Sequence, residues 1–240
     1  MLKLDILVLS VHPDDAELGC SGTILKHIAE GKKVGIVDLT QGELGTRGSV
    51  EIRAAEAAAA AKILGLTVRE NLGIPDGFFQ NAKEYQLKVI AAIRKYQPEI
   101  IIANAYHDRH PDHGRANELV EAAVFLSGLR KIETFDDGKA QQEWRPSILL
   151  HFIQDRYIKP DILIDVTEYW DKKIESIHAY GSQFYNPGWQ DEPETYISSP
   201  DFIQVVEARA REFGKSIGAK YAEGFTSRKI LGVNSLFDLR

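Results

Sequence analysis

Three histidines and three aspartates in two short stretches could do metal chemistry here: His12-Pro13-Asp14-Asp15 and, further along, His110-Pro111-Asp112-His113. An imidazole and a carboxylate three residues apart, His12 and Asp15, can converge on one ion, and His113 can supply a third ligand. Catalytic zinc takes three protein ligands and leaves a position for water, whose pKa it pulls toward ~7. Asp14 and His110 would then stand beside the ion as uncoordinated groups able to move protons. A carboxylate can take the water's proton, and an imidazole can stabilise an oxyanion or protonate a leaving amine. Each stretch alone has a plainer reading, because proline and aspartate both favour turns and helix starts. Two such stretches at equivalent places argue for the metal.

Those places are strand ends. Asp5–Val11 is an apolar run that reads as a buried parallel strand, and residues 19–31 read as a helix. His12, Asp14 and Asp15 therefore fall where the strand has ended and the helix has not begun. Glu99–Ala105 is a second apolar run, followed by a helical pattern from Asp112 to Phe125. Ligands of open α/β sheets bind at the carboxyl ends of the strands. Between the two lie a strand at Lys33–Thr40, an exposed loop at Gly42–Gly48, and an alanine-rich helix at Val50–Leu64. A short strand at Val68–Leu72, a turn at Gly73–Gly77 and a helix at Tyr85–Tyr96 complete this half. Strands alternating with helices imply parallel pairing and right-handed crossovers.

The second half is less regular. Phe135–Arg145 reads as a polar surface excursion, and Ser147–Phe152 and Ile162–Val166 as strands. Thr167 is expected to cap a helix running to about Tyr180. Residues 183–200, rich in aromatics and proline, read as a functional loop. Asp201–Gly218 is an amphipathic helix. The expectation is an α/β fold, a single-domain Rossmann-like three-layer α/β/α arrangement with a mostly parallel sheet over residues 1–240.

Composition narrows the function. With 44% apolar and 27% charged residues the chain reads as an ordinary globular protein. A net charge of -6 argues against a nucleic-acid partner, which would call for a basic stripe. One cysteine excludes an intrachain disulfide and a cysteine zinc cluster. No leader or membrane-length apolar run is visible, so a cytoplasmic location without a membrane partner is expected.

The paired motifs resemble the LmbE-like (PIG-L) zinc deacetylases, which remove acetyl from N-acetylglucosamine conjugates. The likeness extends to Gly22-Thr23, Asp38-Leu39-Thr40, Arg53, Asn71-Leu72, Pro75-Asp76, Asp108-Arg109 and Tyr221–Phe225. These look like the branch that deacetylates N-acetylglucosaminyl-malate in bacillithiol biosynthesis. The resemblance implies Zn2+, or Fe2+ in the cell, on His12, Asp15 and His113, with Asp14 as general base and His110 assisting the tetrahedral intermediate. It places Arg53 against an anionic or hydroxyl-rich aglycone and Asp76 against sugar hydroxyls. Read without it, Arg53 could pair with Glu56 and Asp76 could be a turn residue. A tyrosine that assists the oxyanion is expected as well, with Tyr185 and Tyr196 as candidates. Cys20 reads as a packed side chain and His107 as solvent-facing. A small-molecule GlcNAc conjugate and a homo-oligomer are the expected partners. Other N-acetylglucosaminides (a chitooligosaccharide, a mycothiol-type conjugate), thiol S-conjugate amides and a non-catalytic sugar-binding role are the alternatives.

Overall fold

The computed structural model describes residues 2–189 and 192–239. Its centre is a seven-stranded sheet. Four parallel strands come first: β1 (Ile6–Ser10), β2 (Val34–Asp38), β3 (Val68–Asn71) and β4 (Ile100–Asn104). A two-stranded hairpin, β5 (Phe135–Asp136) and β6 (Lys139–Ala140), stands apart inside the expected surface excursion. β7 (Ile148–Phe152), β8 (Ile162–Asp165) and β9 (Ala222–Thr226) complete the order β3-β2-β1-β4-β7-β9-β8. β9 runs antiparallel to both of its neighbours. The chain leaves β1 toward β2 and β3 on one side, and β4 returns on the other. The order therefore reverses between β1 and β4, and a crevice opens beyond their carboxyl ends.

Side chains alternate along β1, as the period of a strand requires. Ile6 and Val8 pack with Ile24 and Leu25 of α1 (Asp15–Ala29), while Leu7 and Leu9 face Val89 and Ile93 of α3 (Lys83–Tyr96) and Leu119 of α4 (Pro111–Ser127). Both faces are covered, which is why the inner strands β1, β2 and β4 are largely apolar, while β3 at the sheet edge is polar and half-exposed. α2 (Val50–Leu64) ends where expected, on Gly65 with φ of 73°. α5 (Trp170–His178) and α6 (Phe202–Ile217) belong to the α1 side and the sheet's far edge.

Three expectations need correction. α1 begins at Asp15 rather than near residue 19, so Asp15 is already helical. Glycines weaken a helical pattern in a sequence, but here Gly19 and Gly22 let α1 lie close on the sheet. A Cβ at Gly19 would collide with the Phe152 ring, and one at Gly22 would stand 2.8 Å from Val166. Thr167 does not cap an α-helix: it opens a 3-10 turn before α5, and its Oγ1 accepts from the Lys220 and Tyr221 amides. The polar excursion contains the β5–β6 hairpin. The loop over residues 183–200 is irregular as expected, with residues 190 and 191 outside those described.

α1 also carries an insertion. Glu223 of β9 accepts from the Gly22 and Thr23 amides at 2.9 and 2.7 Å, in the middle of the helix. Lys173 of α5 donates to the Glu17 and Leu18 carbonyls and pairs with Glu223 at 2.7 Å. Side chains that enter the backbone ladder bend helices. The anion sits on N–H groups and the cation on carbonyls, so each meets backbone atoms of opposite partial charge.

Candidate active site

Crossing β1 to β4 brings the two motifs together. His12 follows β1, and Asp15 is the first residue of α1. His110 precedes α4 as its N-cap, and His113 lies in the first turn of α4. Asp15 lies between two imidazoles: its Oδ2 is 3.5 Å from His12 Nδ1 and its Oδ1 3.2 Å from His113 Nε2. Each ring turns its other nitrogen to a further carboxylate. His12 Nε2 is 2.9 Å from Asp76 Oδ1, and His113 Nδ1 is 2.7 Å from Asp108 Oδ2. Metal-ligating histidines usually direct their second nitrogen to such an outer acceptor, which fixes the ring and its tautomer. Asp15 is held in turn by the amide side chains of Asn104 (3.2 Å) and Gln154 (2.8 Å). Nitrogens of His12, His110 and His113 also lie within 4.8 Å of one another, as do ligand atoms of His12, Asp76 and Asp112.

The charges around this group fit a cation. Asp14 is answered by Arg53 and Asp112 by Arg115. Asp15, Asp76 and Asp108 face imidazoles instead. Burial alone would strip protons from His113, yet Asp15 and Asp108 hold it up at about 9. His12 is likewise raised against burial by Asp112, Asp15 and Asp76. Burial opposes ionisation of Asp15, but the two imidazoles draw it well below the usual carboxylate range. The pocket thus gathers positive charge onto groups that a divalent ion would otherwise satisfy.

Asp14 takes a backbone φ of 131°, outside the comfortable range of any side-chain-bearing residue. Such strain clusters at functional sites. The carboxylate is 3% exposed, and burial pushes it up to about 7 against the opposing pull of Arg53. His110 accepts from the Asp112 amide through Nδ1 at 3.3 Å. A neutral ring with Nδ1 accepting carries its hydrogen on Nε2 and can donate from there. Burial and the neighbouring His12 and His113 lower its pKa and favour that neutral form.

The remaining expected residues fall differently. Arg53 does not pair with Glu56 and is not free: its Nη2 is 2.7 Å from Asp14 Oδ2, its Nε donates to the Pro13 carbonyl, and it is 7% exposed. Glu56 instead accepts from the Ser182 amide and hydroxyl. Asp76 stands against His12, with Oδ2 accepting from the Leu44 amide. Tyr196 lines the crevice and Tyr185 does not. Cys20 is fully buried and His107 exposed, as expected. Sequence reasoning missed Asp108 as a partner of His113, Asn104 and Gln154 on Asp15, and Arg47. That arginine donates to the Ser182, Trp189 and Pro193 carbonyls and pins the irregular loop over the crevice. The only available signal was for Asp108, a carboxylate five residues before a histidine. Asp76→Asn and Asp108→Asn are each expected to weaken metal binding about 10–100-fold, measured by competition with a chromophoric chelator.

A cavity of about 390 Å3 opens at this group, bounded by Leu44, Arg53, Phe78, Arg109 and Tyr196 as well as the histidines. That lies within the usual range for a small-molecule site. Phe78 stands 82% exposed at its rim.

Comparison with known proteins points the same way. A family model for GlcNAc-PI de-N-acetylases (PIG-L) matches residues 7–124. Diacetylchitobiose deacetylase of Thermococcus kodakarensis is 27% identical over 234 residues, 91% of this chain and 81% of that protein. 4-Oxalmesaconate hydratase of Pseudomonas putida is 27% identical over 203 residues, covering 74% and 73%. A probable N-acetyl-alpha-D-glucosaminyl L-malate deacetylase 2 of Bacillus anthracis is 28% identical over 192 residues, covering 75% and 81%. Among solved structures, the conserved protein TT1542 of Thermus thermophilus superposes with a TM-score of 0.85 at 38% identity, covering 96% and 98%.

Proposed function

The chain belongs to the PIG-L family of LmbE-like deacetylases, and from that premise we propose that it is a zinc-dependent hydrolase of the acetamide in N-acetylglucosaminyl-malate. The observation that carries the hydrolytic reading is Asp15 clasped between His12 and His113, each ring backed by its own carboxylate, at the mouth of the cavity. His12, Asp15 and His113 would hold the ion. Bound there, it would supply a Lewis acid that polarises the amide carbonyl and acidifies water. Asp14 accepts the proton of the attacking water. His110 donates from Nε2 to the carbonyl oxygen as charge grows on it. The C–N bond then breaks as the leaving nitrogen takes the proton that Asp14 accepted, and the amine and acetate leave. Arg53, clamped on Asp14, orients that carboxylate and opposes the effect of its burial.

The malate assignment rests on a different arginine from the expected one. Arg47 and Arg53 line the cavity but are buried and engaged. Arg109 also lines it and is exposed, tethered by Asp155 at 3.7 Å and by the ring of Tyr196 at 4.6 Å. A planar guanidinium suits a carboxylate, and malate carries two. The test is acetate release from a panel of N-acetylglucosaminides with and without a chelator. Arg109→Ala is expected to lower kcat/KM for the malate conjugate about tenfold while barely moving a neutral glycoside. Arg53→Lys should lower kcat for both, because it disturbs Asp14. Equal loss on both substrates in Arg109→Ala would remove the support for malate and leave a generic N-acetylglucosaminide. Absence of acetate release from every substrate would remove the hydrolase reading.

A further inference from the structure

We propose that Arg47 is a positioning residue for the substrate: as common donor to three main-chain carbonyls, it holds in place the cavity wall formed by Thr195, Tyr196 and Ile197. The proposal deepens the deacetylase reading above and rests on it for its substrate. The three wall residues share the cavity with Leu44, Asp76 and Phe78. They belong to the irregular loop, whose main-chain hydrogen bonds are short turns such as Trp189 on Asn186 and Ser198 on Thr195. A segment with so little ladder of its own needs side chains from elsewhere to hold it.

Arg47 reaches it from the Gly42–Gly48 loop. Its Nε donates to the Ser182 carbonyl at 2.8 Å, Nη2 to Trp189 at 2.9 Å and Nη1 to Pro193 at 3.2 Å. One guanidinium thus gathers three separate points of chain, the last of them just ahead of Thr195. A planar fork with donors on three nitrogens can do this, whereas an ammonium has all its donors on one. The join is reciprocal. The Arg47 carbonyl accepts from Gln183 Nε2 at 2.8 Å, and the Gly48 amide donates to the Glu192 carboxylate at 3.0 Å. Arg47 is 7% exposed, so any of its donors that lost a carbonyl would be left buried and unsatisfied. That penalty favours the closed arrangement of loop and wall.

The loop that carries Arg47 is itself fixed. Glu43 accepts from the Asp76 amide at 2.8 Å, and the Leu44 amide donates to the Asp76 carboxylate at 3.2 Å. A Cβ at Gly42 would stand 2.6 Å from Arg53 Nη1, and one at Gly48 2.8 Å from Ser182 Oγ. These glycines serve close packing, which gives Arg47 a firm base. Among the described residues, Arg47 hydrogen-bonds none of His12, Asp14, Asp15, His110 or His113. Its loss should therefore be felt in how the substrate is held more than in the chemistry. A wall whose two or three side chains must be ordered at each binding event weakens affinity by roughly ten- to a hundredfold.

The experiment measures acetate release from an N-acetylglucosaminide by the metal-loaded wild type, Arg47→Ala and Arg47→Lys, alongside backbone hydrogen exchange. Arg47→Ala is expected to raise KM at least ~10-fold while kcat stays within about threefold. Exchange at Thr195–Ile197 should quicken, while His12–Asp15 and His110–His113 stay as in the wild type. Arg47→Lys should resemble Arg47→Ala, because the charge without the fork cannot serve three carbonyls. Methylguanidinium, entering from the cavity, should restore KM and slow exchange in Arg47→Ala, and methylammonium should not. An unchanged KM, a fall in kcat alone, or a lysine variant that matches the wild type overturns the proposal. If Arg47→Ala does not fold, Glu192→Ala, which removes only the strap on the Gly48 amide, carries the test. It should raise KM a few-fold with the same local change in exchange, and wild-type values for both overturn the proposal. If the wild type releases acetate from no N-acetylglucosaminide, the deacetylase reading falls, and hydrogen exchange at Thr195–Ile197 still decides whether Arg47 holds the wall.

Discussion

Asp14→Asn is expected to keep its metal and lose ~10²–10⁴-fold in kcat, the usual contribution of a general base. The amide is nearly the same shape, so the turn and the Arg53 contact can survive, but it cannot accept a proton from water. Asp14 lies next to the proposed ligand Asp15 without sharing the imidazoles that flank it. Elemental analysis should therefore find wild-type metal in the variant. The structure supplies a reason for the residue's conformation too. A φ of 131° turns the chain sharply between His12 and α1, so that Asp14 meets Arg53 while Asp15 faces the histidines. A loss of less than tenfold would demote Asp14 to a structural part of that turn.

Removing a ligand should have the larger consequence. His113→Ala takes away one of three proposed ligands and is expected to release the metal on dialysis, with turnover falling to background. It also leaves Asp15 and Asp108 facing a void where a cationic ring stood. Ligand binding to the native state stabilises it by ~4 kcal/mol when the free ion is a thousandfold above its Kd. The wild type should thus lose several degrees of Tm on chelation, and His113→Ala should not respond to chelator at all. Full metal content in the variant would show that His12, Asp15 and His110, or another combination, hold the ion.

The sequence carried the parallel half of the fold because its inner strands are short apolar runs that alternate with helical patterns. It also carried the meeting of His12, Asp15, His110 and His113, since two strand-end loops on adjacent parallel strands share one crevice. What it did not carry depends on residues that act across the sheet. Asn104 and Gln154 have no local signature, because an amide that steadies a distant carboxylate looks like any other polar residue, and Asp108 showed only as a carboxylate five residues before His113. Arg53 was legible as a site residue but not as the partner of Asp14. The glycines of α1 show the same dependence on distant residues. Gly19 and Gly22 weaken a helix judged in isolation, and only Phe152 and Val166, more than a hundred residues away, explain why they are there.

The Glu223 and Lys173 contacts to α1 bear on how the chain is made. Synthesis proceeds from the N-terminus at about 5–20 residues per second. α1 emerges early, yet two of its interior amides find their acceptor on a strand some two hundred residues later. A nascent chain that has reached α4 already holds both histidine motifs, but the helix led by Asp15 still lacks its partners. Pairings this distant in sequence are slow to form. The metal site should therefore mature only after β9 has left the ribosome, and ribosome-stalled chains ending before residue 220 should bind the ion far more weakly than released ones.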